Sequence, residues 1–369
     1  MNESNFVYKI YKNTASSWEA MYESLLNAKK SIFWEIYIFI DDEEGKKFVE
    51  VLAQKAREGL EIKLILDALG SSGFSESSEN YLIKSGVKIL RFNRLHPRLN
   101  IWNWYYRLLH RNHRKVLIID EEVVFLGGVN IRADFKNWND VYIKISGRIS
   151  QPLLRGFARS YISCGGKKSE VKKLLKRKID ISLTELTSRV NFIVHSPSKA
   201  KLPKTKLFYI KAFAAAKERV NILTPYYVPD NFILQAIKLA TRRGVKVNIF
   251  LPLRSDLLLM ELLSKTYFES TLKAGASIYL LREMNHGKAL SVDSNIGLVG
   301  SINLMKRSFS HQEESAVAFN DSFAVADLNA MFEELKAGAE QLTIENWLKR
   351  PLLQRFREWL AKRIEYFIQ

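Results

Sequence analysis

Two histidines in this chain each head the same pattern. HRKVLIID runs from His113 to Asp120 and HGKALSVD from His286 to Asp293. Each is followed by a small-residue element ending in asparagine, GGVN (Gly127 to Asn130) and GSIN (Gly300 to Asn303). A carboxylate stands 27 positions after each histidine, Asp140 in the first copy and Glu313 in the second. One such run would carry little information, but two with matching downstream groups are hard to obtain by chance. Imidazole is a competent nucleophile and proton carrier at neutral pH. In extended backbone, residues two apart share a face, so Lys115 points with His113 and Lys288 with His286. An ammonium there is a compact charge for an anionic oxygen, and Gly128, Asn130, Ser301 and Asn303 allow close approach and add donors to the same anion. The pattern predicts chemistry at a phosphoryl group. One histidine attacks phosphorus; the other protonates the departing alcohol and then deprotonates the incoming one. Asp140 and Glu313 are suited to orient each imidazole through its second ring nitrogen. Asp120 and Asp293, beyond an apolar run, are placed to brace a strand or its turn. His96, His110, His195 and His311 have no counterpart in the other copy and read as packing or surface residues. The scheme requires no metal.

The elements that position these groups are themselves duplicated. AKKSIFWEIYIF (Ala28 to Phe39), a helical stretch ending at Gly59, EIKLILD and SGVKILRF recur as AKERVNILTPYYV (Ala216 to Val228), a helical stretch ending at Gly244, VKVNIFLP and AGASIYLL. The short runs rich in β-branched and aromatic residues read as buried strands, and the segments between them carry apolar residues at helical spacing. Alternating β and α units predict parallel strands joined by helical crossovers. Each half is therefore expected to be an α/β/α sandwich, and the two to form a pseudo-twofold dimer within one chain, sharing one site. The first domain is predicted over residues 1–165, a basic linker over 166–190, the second domain over 191–343, and a basic amphipathic helix over 344–369. The first half carries 16 extra residues within Arg91 to Arg111, a segment dense in Trp, Tyr and Arg.

Composition constrains the setting. The chain has 369 residues, 47% of them hydrophobic, which is enough for a sizeable core and excludes a disordered or fibrous protein. Lys and Arg exceed Asp and Glu by 57 to 39, a net charge of +18, so an anionic partner is expected: nucleic acid, a membrane face or a phosphorylated substrate. A single cysteine, Cys164, precludes an internal disulfide and a thiolate zinc cluster. The N-terminus has no secretory pattern, and the apolar run Ser31 to Ile40 is half the ~20 residues that span a bilayer.

The paired H-x-K-x-x-x-x-D and G-[GS]-x-N elements resemble the signature of the phospholipase D superfamily. EIYIF near Glu35, LDALGSSG (Leu66 to Gly73), TPYYVPD (Thr224 to Asp230), RRGVKVNIFLP (Arg242 to Pro252) and WND (Trp138 to Asp140) look like bacterial cardiolipin synthases, in particular the shorter subtype without N-terminal membrane-spanning helices. The resemblance covers about Ala28 to Phe319. It implies His113, Lys115, Asp120, His286, Lys288 and Asp293 as the catalytic set, with His113 as nucleophile and His286 as acid and base. It also implies transfer of a phosphatidyl group through a phosphohistidine, without cofactor, to the headgroup hydroxyl of phosphatidylglycerol; the donor is phosphatidylglycerol or phosphatidylethanolamine. A phospholipid hydrolase and a superfamily nuclease are the alternatives.

An enzyme of this kind without a spanning helix is expected to dock peripherally, on the cytoplasmic side of the cell membrane. Two segments are candidates. In NWLKRPLLQRFREWLAKRIEYFIQ apolar residues recur at three- and four-residue steps, and Arg355, Trp359 and Arg363 stand for a cationic interfacial helix. In the insertion, Trp102, Trp104 and Tyr105 pair interfacial aromatics with neighbouring arginines.

Overall fold

The computed structural model describes residues 7–94, 101–147, 150–176, 189–197 and 203–368. The first half supplies β1 (Val7–Asn13), β2 (Ser31–Ile36), β3 (Glu61–Asp67), β4 (Lys88–Phe92), β5 (Arg111–Asn112), β6 (Val116–Ile119), β7 (Val123–Gly127) and β8 (Asn139–Ser146). The second supplies β9 (Val190–His195), β10 (Arg219–Leu223), β11 (Tyr227–Val228), β12 (Lys246–Pro252), β13 (Ser277–Leu281), β14 (Ala289–Val292), β15 (Ile296–Gly300), β16 (Leu304–Met305), β17 (Gln312–Phe319) and β18 (Ala339–Leu342).

The sheets repeat one another strand for strand. The first runs β8-β7-β6-β2-β3-β4 and the second β17-β15-β14-β10-β12-β13. In each, the three strands joined by crossover helices are parallel, and the histidine-bearing end is antiparallel. The edges match too, since β1 lies antiparallel on β8 and β9 antiparallel on β17. The crossover helices end as their sequences require. Gly59 and Gly244 both take left-handed backbone, with φ of 92° and 87°, where a side chain would be strained. Asp230 caps the helix Asn231–Arg242, its Oδ1 accepting from Ile233 N at 3.1 Å.

Three layers of core follow. One lies on the outer face of each sheet, around Trp34 and Leu64 in the first half and Ile222 and Ile249 in the second. A third is shared: Leu126, Val141 and Ile143 of the first half pack with Val299, Val317 and Phe319 of the second. Each such side chain, fully buried, is worth about 1.5 to 3 kcal/mol, so the halves meet through a core rather than a wet contact. The helices after β8 and β17 reach across. Gln151–Ser163 packs on β9, with Gly156 against Val194, and Ser322–Ala337 ties to β1 through Tyr8 to Asp327 and Lys12 to Glu334.

The linker expectation covers 166–190, of which 177–188 lie outside the described residues. Residues 166–176 are integral to the first half, and Val190 already opens β9 of the second. Val171 and Leu174 are buried in the shared core, and Glu170 accepts from Tyr161 and pairs with Lys88. Among the described residues no helix is long and apolar enough to cross a membrane.

Candidate active site

Each histidine precedes an antiparallel strand of its own sheet, and its backbone is held by the other half. His113 N donates to Glu313 O at 2.9 Å and His286 N to Asn139 O at 2.7 Å. Parallel pairing continues on either side: β5 lies on the start of β17, and Asn139 bridges Asn285. The residue after each accepting carbonyl turns its side chain inward. Asp140 Oδ2 lies 3.0 Å from His286 Nδ1, and Glu314 Oε2 lies 3.1 Å from His113 Nδ1. Each imidazole is thus oriented by a carboxylate of the opposite half.

This corrects the expectation for Glu313. Asn139 and Glu313 are equivalent, because each carbonyl receives the opposite histidine's N–H, so the counterpart of Asp140 is Glu314. The segment between Asn303 and this carboxylate, which holds the short helix Lys306–Ser310, is one residue longer than its counterpart. Because strand side chains alternate in direction, Glu313 faces away. It pairs with Arg114 Nη2 at 2.6 Å, accepts from Ser196 Oγ at 2.7 Å and has His110 at 3.5 Å.

The small residues support these carboxylates. A Cβ on Gly128 would stand 2.1 Å from Asp140 Oδ1. At the matched position the Ser301 hydroxyl bonds Glu314 and accepts from Ser315 N at 3.0 Å. Asn130 and Asn303 line the cleft. Asn130 Oδ1 accepts from Ile38 N at 3.1 Å, whereas Asn303 Oδ1 is buried with no hydrogen-bond partner among the described residues.

Asp120 and Asp293 lie at the far ends of β6 and β14 from the histidines. The Asp120 carboxylate accepts from the backbone N–H groups of Lys29, Lys30 and Ser31, and that of Asp293 from Lys217, Glu218 and Arg219. Both have φ near 50°, in the tight turn before the next strand. They fasten the first parallel strand of each half to the histidine strand and do not enter the cleft.

Burial governs the electrostatics. Lys115 donates to His113 O at 2.8 Å and lies 5.0 Å from the centroid of the Tyr37 ring; Lys288 Nζ is 2.9 Å from His286 Nε2. Loss of solvent holds the Lys115 ammonium well below its usual range and brings Lys288 to about 8. His113 is held well below the usual imidazole range, first by burial and then by Lys115 and Lys288. His286 is lowered by burial and Lys288, but the hydrogen bond and charge of Asp140 oppose the shift. Burial pushes Glu314 up to about 8, so it offers His113 less negative charge at neutral pH. The two histidines therefore differ: burial and two neighbouring ammonium groups disfavour the charged form of His113, whereas Asp140 favours the proton on His286.

The two histidines open on one cleft of about 500 Å³. Tyr37, Trp138, Tyr226, Asp256 and Arg307 line it beside them. Tyr226 donates to Asp256 at 2.9 Å. Behind His113 lies a buried polar lattice that sequence reasoning missed. Arg111 is fully buried on Asp67 at 2.7 Å, Asp67 Oδ2 accepts from Asn112 N at 2.9 Å, and Glu35 accepts from Asn112 Nδ2 at 2.9 Å. The available signal was a charge within the apolar run of SIFWEI, Glu35, and one closing the run LIL of EIKLILD, Asp67. Arg114, at the position of Gly287, has no such partner set in the second half, where Leu223 stands for Glu35.

The membrane-contact candidates lie elsewhere. Trp104, Arg355, Trp359 and Arg363 are exposed and Tyr105 is half-buried; the side chain of Trp102 lies outside the described residues. Among the described residues no group of three His, Cys, Asp or Glu is arranged to hold a metal.

Comparison with known proteins agrees with this geometry. A family profile described as "Cardiolipin synthase, PLD-like domain" matches residues 21–160 and again 209–336. A cardiolipin synthase of Clostridium perfringens (strain 13) is 34% identical over 364 residues, covering 96% of this chain and 75% of that protein. The minor cardiolipin synthase ClsB of Bacillus subtilis (strain 168) is 29% identical, covering 95% of this chain and 86% of that protein. The crystal structure of a phosphatidylserine synthase from Haemophilus influenzae Rd KW20 shares the fold, with a TM-score of 0.74 over 100% of this chain and 93% of that one, at 14% identity. The chain belongs to the phospholipase D-like cardiolipin synthase family and is a phosphatidyltransferase of the phospholipase D superfamily.

Proposed function

We infer that the protein passes a phosphatidyl group from a phospholipid to the headgroup hydroxyl of phosphatidylglycerol through a phosphohistidine on His113. The observation that carries this reading is the asymmetric pair of buried histidines on one cleft, each oriented by a carboxylate of the other half. With Nδ1 engaged, His113 presents Nε2 to phosphorus. A P–N bond forms as the P–O bond to the headgroup alcohol breaks, and His286 delivers a proton to that departing oxygen. The acceptor hydroxyl then gives its proton to His286 and attacks phosphorus, and the P–N bond breaks. Lys115 and Lys288 hold the non-bridging oxygens, with Asn130 and Asn303 supplying further polar contacts. Asp120 and Asp293 serve by bracing the strands that carry the histidines.

The donor is phosphatidylglycerol, which releases glycerol, or phosphatidylethanolamine, which releases ethanolamine. The reaction takes place at the cytoplasmic face of the membrane, with the protein bound peripherally. Incubation with phosphatidylglycerol vesicles, with and without phosphatidylethanolamine, and mass spectrometry of the lipids tests the assignment. Cardiolipin is expected. Phosphatidic acid alone would make the protein a hydrolase, and cleavage of labelled DNA without any lipid product would make it a nuclease.

A further inference from the structure

The C-terminal helix is seated the wrong way round for a soluble protein. In Leu352–Ile368 the side against the body carries Glu358, 3% exposed and bonded by Arg350 and Gln354, together with buried Ala361. Glu365 on the same side accepts from the Tyr267 hydroxyl, and Lys362 pairs with Glu365 at 2.7 Å while lying 3.8 Å from the centroid of the Tyr267 ring. The apolar side faces out: Leu352 is 78% exposed, and Leu353, Phe356, Trp359, Leu360 and Ile364 are all exposed. Amphipathic helices on soluble domains bury that side.

A second group of exposed apolar residues lies beside the catalytic cleft. The helix packs on Leu258–Lys265, at whose start Leu257, Leu258 and Leu259 are exposed, Leu258 by 67%. Leu257 and Met260 also line the cleft that holds His113 and His286. Exposed apolar side chains thus stand on the C-terminal helix and on the start of the helix it packs against, and that start reaches the mouth of the cleft.

Charge selects what covers this face. Arg355, Arg357, Lys362 and Arg363 flank the stripe and are exposed, while both acids of the helix, Glu358 and Glu365, are turned inward and engaged. A second copy of the chain would bring the same cations against these, in a protein of net charge +18. An apolar stripe bordered by cations fits an anionic bilayer, with the side chains among the acyl chains and the guanidinium groups at the headgroup phosphates. We propose that this face, the outer stripe of Leu352–Ile368 together with Leu257–Leu259, seats the protein on an anionic membrane and turns the cleft onto the lipid surface.

The assignment rests on the lipid reading of the cleft, so binding is measured separately from turnover. The full chain is floated with vesicles of phosphatidylcholine containing phosphatidylglycerol, and with phosphatidylcholine alone. Phe356→Ser combined with Trp359→Ser, and separately Leu258→Ser, replace exposed side chains and should leave the melting curve unchanged. Each is expected to weaken binding to the anionic vesicles by at least about tenfold, while cleavage of a water-soluble phosphodiester by the Phe356/Trp359 variant stays at the wild-type rate. Wild-type binding by both variants would overturn the proposal. So would equal binding to phosphatidylcholine alone, or a wild-type dimer in solution that the variants make monomeric. If the wild type floats, the variants do not, and no cardiolipin forms, the docking face stands and the transferase reading falls.

Discussion

Asp140 of the first half hydrogen-bonds His286 of the second, Oδ2 to Nδ1, at 3.0 Å. The pseudo-twofold operation returns the favour with Glu314 and His113 at 3.1 Å. Neither half holds both members of a histidine–carboxylate pair by itself, so packing of the two sheets across the shared core is what assembles both pairs.

Asp140→Asn therefore damages the chemistry attributed to His286 from the other domain. The expected loss in transfer rate is about a hundredfold to ten-thousandfold, the range for a disabled acid-base group, with the fold retained because the amide keeps the shape. Steady-state kinetics beside a thermal melt checks this. A wild-type rate would remove Asp140 from the mechanism.

The roles of the two histidines separate with the leaving group. A p-nitrophenyl phosphodiester releases an anion that needs no proton. His286→Ala should still form the covalent enzyme from it and show a burst of p-nitrophenolate, whereas His113→Ala should show none. A burst from His113→Ala and none from His286→Ala would exchange the assignments.

Glu314 makes the free protein's stability depend on pH. Its pKa is raised to about 8 in the folded state from 4.5, so between those values the folded chain binds more protons than the unfolded one. Stability from this group is intact below about 4.5 and falls as pH rises toward 8. Glu314→Gln removes the dependence. Its melting temperature relative to wild type should be higher at pH 8 than at pH 5; the same difference at both values would contradict the buried, neutral carboxyl.

Arg114 is nearly buried between the halves, with Glu313 at 2.6 Å, Glu35 at 3.5 Å and the His195 carbonyl at 2.7 Å. Arg114→Ala leaves Glu35 and Glu313 without their cation, a change that typically costs about 3 to 5 kcal/mol. Denaturant unfolding should report a loss of that order. A loss below about 1 kcal/mol, the level of an exposed pair, would mean that solvent already reaches the lattice.

Much of this protein was legible in its sequence, because a duplication is a comparison that one chain makes with itself. Recurrence of HRKVLIID as HGKALSVD, with the asparagines in step, picked out both histidine-lysine pairs and the α/β repeat before any contact was known. Periodicity assigned the strands and their crossover helices. The partnership of the carboxylates was not legible, since spacing along one chain is blind to contacts made across a twofold. Glu313 has the matching interval and Glu314 the matching place, because one extra residue before β17 shifts the register and alternation in a strand turns a one-residue shift into the opposite face. The same reason hid the direction of the C-terminal helix: its amphipathic pattern is equal in either orientation, and only the contacts of Glu358 and Ala361 decide that its apolar side looks outward. Residue type and order determined what chemistry the chain carries; tertiary packing decided which carboxylate stands on which histidine and which side of the C-terminal helix is left exposed.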